Sequence, residues 1–410
     1  MKKIRAYTLN CFSTQIKVIS KGYMILSFLL VPAFAWSQQA NVNLDYNPQE
    51  DTEGLIPFSA AVNSPEVHDD RTVTFRLKAP NAKEVSLNRG AITTILGKGN
   101  ELIPFVKGDD GIWTLKIGPL PQDMYAYHFI VDGMQIADPS NTIAAFTAMP
   151  PYSQLIVHGD GPAYYDAKNV PHGPVTRHIY HSDVTEGERE LYVYTPPAYD
   201  KDKKYPVLYL MGGSGELPSN WIYDGRVNLI MDNLLAENKA EPMIIAILNN
   251  QVIHRNHPRH AELTFDILER ELREHIVPLV DETYNTIKDP KGRAISGLSM
   301  GGRHSMFIGF RSLDLFANFG ILSAGDEDAE TSLKQFLNDP KVHDKVDYLF
   351  VGQGKKEAEG FFNRRAQGLH DALDKHKIEH EYYIGGEGGH DWSTWRHLLY
   401  YRFLPNLWKD

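Results

Sequence analysis

Residues 295–302 read ISGLSMGG, and the reading of this stretch decides the fold. Gly297, Ser299 and Gly301 fit the pattern G-x-S-x-G, and Gly302 follows. A glycine-rich turn whose serine merely caps a helix would look the same over five residues. The alternative is a sharp strand-to-helix turn that lifts the serine hydroxyl clear of the backbone. There the flanking glycines remove Cβ atoms that would otherwise collide. The flanks favour the second reading. RAISGLS is a short, near-continuous apolar run of the kind buried on both faces of a parallel sheet, and GGRHSMFIGF continues as a helix would.

Further runs of the same kind lie on either side: YPVLYLMGG, PMIIAILNN, FGILSAG and DYLFVGQG. Between them are helical spacings. Val227, Ile230, Met231, Leu234 and Leu235 form one apolar stripe, and Phe265, Leu268, Leu272, Ile276 and Leu279 form another. Strands alternating with helices predict an α/β-hydrolase over 176–410, a parallel-dominated sheet with helices on both faces. Upstream, over 66–158, the period changes to two. TVTFRLK puts Val73, Phe75 and Leu77 on one face, and YAYHFIVDG does so with Tyr125, Tyr127, Phe129 and Val131. Turns at APNA, KGDDG and VDGM punctuate these strands and no helix is predicted, so the segment reads as a small all-β immunoglobulin-like sandwich. The proline- and glycine-bearing residues 159–175 read as a linker.

The first 37 residues carry Lys2, Lys3, Arg5, Lys17 and Lys21, no acid, and the apolar run MILSFLLVPAFAW ending in small residues. This predicts a cleaved signal peptide, followed by an N-terminal extension over 38–65. It implies a secreted or periplasmic protein with no stable membrane association after cleavage. Cys11, the single cysteine, would leave with the leader, which excludes thiol catalysis, thiolate metal sites and disulfides. A formal charge of −10 disfavours nucleic acid as a partner.

A serine hydroxyl needs a base to take its proton. His390, after a late strand and the glycine-rich loop of GGEGGHDW, stands where the chain order serine, acid, histidine expects it. The acid should follow the strand DYLFVGQG, where Glu357 is the first candidate and Glu359 the second. The cluster Asp326, Glu327, Asp328 and Glu330 is a third source. For the oxyanion, the backbone N–H of Met300 is expected, with a second donor from Gly212 or Gly213 in LMGGSGE. His254, His257 and His260 are spaced three apart, but Pro258 interrupts any helix that would align them. They read as a polar loop beside the cleft, and no metal is expected. Trp221 and Trp392 are candidates for stacking on a sugar or aromatic acyl group.

VPHGPVTRHIYHS, ELYVYTPPAYD, NWIYDGRVNLIMDNLLAE, GLSMGGRHS and GGHDWSTWR together resemble the carbohydrate esterases of family one. That family includes feruloyl and acetylxylan esterases and is similar in fold to esterase D and the mycolyltransferases. The upstream VTFRLKAPNAKEVSLN, DDGIWTLKIGPLP and YHFIVDGMQIADPSN resemble the early-set β-sandwich of glycogen-branching enzymes. The resemblance implies Ser299 as nucleophile and His390 as base, with Glu357 where family members usually carry aspartate. Met211 stands where the family commonly has histidine before glycine. The implied activity is removal of feruloyl or acetyl groups from plant cell-wall polysaccharide or oligosaccharide such as xylan, through an acyl-enzyme and without a cofactor. An esterase for a siderophore or other small acylated molecule is the alternative, as is a glycan-binding protein whose catalysis has decayed.

Overall fold

The computed structural model describes residues 62–88, 90–99, 101–145, 152–360 and 363–409. The leader read over 1–37, and the extension 38–65 up to residue 61, lie outside the described residues. The described residues form one compact unit.

Eight strands make the central sheet: β1 (Val175–Ser182), β2 (Gly187–Tyr194), β3 (Val207–Met211), β4 (Ile244–Leu248), β5 (Arg293–Leu298), β6 (Asn318–Leu322), β7 (Tyr348–Gln353) and β8 (Glu381–Ile384). Their order is β1-β2-β4-β3-β5-β6-β7-β8. The pairs β1–β2 and β2–β4 are antiparallel and the rest parallel. Every position of β3, β4 and β5 is buried, as the unbroken apolar runs require of strands covered on both faces. Side chains alternate between two cores: Tyr209, Met211 and Ile295 enter one, Leu208, Leu210 and Leu298 the other. Because β3 to β8 run parallel, the loops at their carboxyl ends gather along one edge, where ligands of open α/β sheets bind.

Upstream, three small antiparallel sheets enclose a third core containing Val73, Phe75, Leu77, Tyr125, Tyr127 and Phe129. Two details differ from the sequence reading. YAYHFIV is not one strand: Asp123–Tyr127 and Phe129–Val131 belong to different sheets, and the chain changes sheet at His128. A short helix, Ala91–Ile95, also stands where none was predicted. Five residues without a long apolar stripe leave too little periodicity to be seen.

The proline- and glycine-bearing linker is seated on the sheet domain. Tyr165 is buried, Tyr164 stacks on Tyr400, and Asn233 donates to the carbonyls of Tyr164 and Asp166. Arg396 fastens the upstream sheets. It is fully buried, pairs with Asp123, and donates to the carbonyls of Asp224 (2.6 Å) and Met124 (3.3 Å). The Asp123 carboxylate and the two carbonyls offset the cost of burying the guanidinium, although its Nε has no hydrogen-bond partner.

Candidate active site

Ser299 is the hinge between β5 and the helix Met300–Arg311. Its φ of 53° and ψ of −112° lie outside the regions open to most side-chain-bearing residues. Neighbouring contacts hold the strain. Ser299 N–H donates to the Leu322 carbonyl at 2.9 Å, tying the turn to β6. A Cβ on Gly301 would lie 2.5 Å from the Gly212 carbonyl oxygen, and one on Gly302 2.6 Å from Ala324 Cβ. The motif glycines therefore let helix, strand and the loop after β3 touch backbone to backbone.

The serine is aimed at a base. Ser299 Oγ donates to His390 Nε2 at 2.8 Å, and His390 Nδ1 donates to Glu357 Oε1 at 2.6 Å. With Nδ1 protonated against a carboxylate, Nε2 is the acceptor the hydroxyl needs. Glu357 is buried in the short helix Lys355–Ala358 after β7. Its second oxygen accepts from Gly354 N–H at 2.8 Å and from Ser323 Oγ at 2.6 Å, and Trp395 Nε1 in turn donates to Ser323 at 2.9 Å. Of the acids left open by the sequence, Glu357 is the one on His390. Glu359 is exposed and pairs with Lys356, Glu330 pairs with Lys375 and His376, and Glu327 lies by Arg364.

The loop after β3 needs a correction. Gly213 N–H, expected to face an oxyanion, donates to Glu216 Oε2 at 2.6 Å, so the loop is closed on itself. Burial pushes the Glu216 carboxyl up to about 8. The Gly212 carbonyl, on the same peptide, accepts from Asn250 Nδ2 at 2.9 Å. That amide also donates to His304 Nδ1 at 3.1 Å, and His304 Nε2 meets Thr264 Oγ1 at 3.2 Å. His304 is fully buried, and burial pulls its imidazole down to about 3, so it stays neutral. Sequence reasoning missed Ser323, Glu216, Asn250 and His304. Ser323 and Asn250 follow apolar runs with no motif around them, and Glu216 and His304 lie inside quoted motifs whose other residues drew the reading.

A cleft of about 330 Å³ opens beside the serine, lined by Ser299, Met300, Thr264, Phe265, Arg303 and Arg365 among others. His260 lines it too, while His254 and His257 are exposed. The tryptophan reading is overturned. Trp221 is fully buried and Trp392 is 8% exposed, and their rings pack edge to face at 5.1 Å as core residues. Neither offers a face to a sugar.

The Esterase family model matches residues 182–404. The chain belongs to this esterase family. The chain is 30% identical over 341 residues to an endo-1,4-beta-xylanase/feruloyl esterase of Xylanibacter ruminicola, covering 82% of this chain and 44% of the relative. The esterase thus spans less than half the length of that curated relative. Among solved structures it is similar to a ferulic acid esterase of Anaeromyces mucronatus (TM-score 0.51, 24% identity, 60% of this chain and 96% of that one). It also matches the enterochelin esterase of Shigella flexneri (TM-score 0.65, 17% identity, 84% and 95%). These two likenesses speak for the fold, a mostly parallel sheet preceded by small antiparallel sheets.

Proposed function

We propose that this esterase is an exported serine enzyme that removes feruloyl or acetyl groups from plant cell-wall polysaccharide such as xylan. The observation that carries it is the continuous chain Ser299–His390–Glu357 opening onto the 330 Å³ cleft. In this reading Ser299 Oγ attacks the ester carbonyl while His390 Nε2 takes its proton. The tetrahedral oxyanion forms beside the N–H of Met300 at the head of the nucleophile helix. His390 then gives the proton to the sugar oxygen as the ester C–O bond breaks, and water activated by the same imidazole releases the acid. Glu357 holds the imidazole in the accepting tautomer and stabilises its cation. The xylan substrate rests on likeness to the xylanase/feruloyl esterase, and export rests on the basic-then-apolar leader.

The test is incubation with native, still-esterified arabinoxylan and mass spectrometry of the products, beside hydrolysis of p-nitrophenyl acetate. Ferulate or acetate should appear, and Ser299→Ala should cut kcat by roughly 10⁴- to 10⁶-fold. The double variant with His390→Ala should be little worse, because the pair acts as a unit. Turnover of the small ester with no acyl release from the polysaccharide would refute the substrate.

A further inference from the structure

Beyond the cleft at Ser299 lies a second, larger groove of about 700 Å³. Among the described residues, Phe265 is the one that lines both. Two helices lay the cleft and the groove end to end. Along Met300–Arg311, Met300 and Arg303 line the cleft, while Phe307, Phe310 and Arg311 line the groove. Residues 303, 307 and 311 are four apart and so follow one face of that helix. Met300 to Phe307 covers about 10 Å of helix, the distance from the nucleophile's neighbour into the groove. Along His260–Glu271, His260, Ala261 and Thr264 line the cleft, Asp266 lines the groove, and Phe265 stands between.

The Phe265 ring is held where it stands. It packs edge to face on Phe307 at 5.0 Å and on His304 at 5.3 Å. His304 is itself fixed, fully buried between Asn250 and Thr264. Behind the ring the groove is apolar at its base. Phe310 and Phe336 stack at 4.0 Å, and Leu333 is buried beside them. The charges around it are paired with one another: Arg311 with Asp266, Lys345 with Asp339, and Asp314 with Arg273. Such a surface gains from covering methylene groups and makes no demand for a charged ligand.

We propose that Phe265 determines acyl-chain length: its ring closes the acyl end of the cleft and keeps longer chains out of the groove. The inference rests on Ser299 being the nucleophile. The acyl side is chosen because Phe265 and Ala261 offer apolar surface, which suits an acyl chain and not a sugar leaving group.

The full chain is assayed on 4-nitrophenyl acetate, butyrate, hexanoate, octanoate and decanoate. The parent kcat/KM should fall at least tenfold from its best substrate to decanoate. Phe265→Ala should raise the decanoate-to-butyrate ratio by roughly tenfold or more, since each methylene reaching apolar surface is worth roughly fourfold. Phe265→Leu should fall between the two. Gln335, exposed at the groove, gives a second handle. Phe265→Ala combined with Gln335→Trp fills the groove with an indole and should return the ratio toward the parent value. Ratios within one preparation do not depend on how much of it is folded, and phosphonate labelling of Ser299 counts the active fraction. The same variants on butyl, hexyl and octyl acetate should show no such shift. A shift confined to that alcohol series would overturn the acyl assignment. A length profile unmoved by both Phe265 substitutions in enzyme that labels, or a raised ratio that persists in the double variant, would overturn the partition. Absence of labelling together with loss of all hydrolysis in the parent would instead refute the catalytic reading on which it rests.

Discussion

Ser299 and Glu357 both stand at the carboxyl ends of parallel strands, and opposite means hold them there. Ser299 is set by its backbone: a left-handed φ, a hydrogen bond to β6, and glycines that let three segments meet. Glu357 is set by its side chain, which bridges Gly354 N–H, Ser323 and His390. The first arrangement is complete within a few residues. The second draws on β6, β7 and the final helix through Trp395, so its geometry depends on tertiary packing. A backbone-defined residue should therefore tolerate distant change better than a network-defined one.

Glu357→Gln is the strongest test of that contrast. An amide cannot act as the carboxylate does and can stabilise the wrong imidazole tautomer, so kcat should fall by roughly 10³- to 10⁴-fold. Glu357→Asp should recover part of the loss, limited by a shorter reach from the same helical turn. Near-parental activity in Glu357→Gln would show that the His390 contact is structural alone.

The same contrast explains what was legible in the sequence. Ser299 and the strands around it were readable because the glycine spacing and the apolar runs are local signals. His390 was placed by chain order. Glu357 could not be separated from Glu359 or the 326–330 acids, because what selects it is Ser323 and Gly354 meeting in space. Trp221 and Trp392 misled for a related reason: aromatic residues beside a catalytic loop read alike whether they face substrate or core. Only burial decides.

Asp123→Ala carries the contrast to the upstream sheets, where Arg396 would lose its charged partner while remaining buried. Unfolding stability should fall by about 3 kcal/mol, moderated by the carbonyls of Asp224 and Met124 that still accept from it. The helix bearing Arg396 begins at Trp392, just after His390, so turnover should fall more than phosphonate labelling of Ser299 at saturating reagent. Equal loss of both would mean that the elbow depends on these sheets as much as the histidine loop does.

His304 sharpens the comparison through pH. Its folded value, about 3, lies below the ordinary 6.5, so the unfolded chain binds the extra proton between those limits. Stability from this group is present above about 6.5 and declines as pH falls through that window, by up to about 1.4 kcal/mol per unit. Asp224 and Glu216, raised to about 6 and about 8, act in the opposite sense. The difference between parent and His304→Gln isolates the histidine: the variant should show a shallower acid decline in chemical denaturation. An unchanged slope would mean that His304 is hydrated in solution.

The smallest effect should come from Met211, where the resemblance drawn from the sequence implies histidine. Its side chain is fully buried in the core shared with Tyr209 and Ile295, while its carbonyl oxygen lies 2.7 Å from where a Gly301 Cβ would stand. Position 211 therefore acts on the elbow through backbone and fills space with its side chain. Met211→Leu conserves volume and should cost under about 1.5 kcal/mol. Its kcat/KM should stay within a few-fold of the parent. Met211→His would bury an imidazole in an apolar core and should cost about 2 kcal/mol without a gain in kcat. A marked rise in kcat for that variant would show that the side chain at 211 reaches the reacting groups, and the division between backbone-held and side-chain-held parts of the site would fail at the loop after β3.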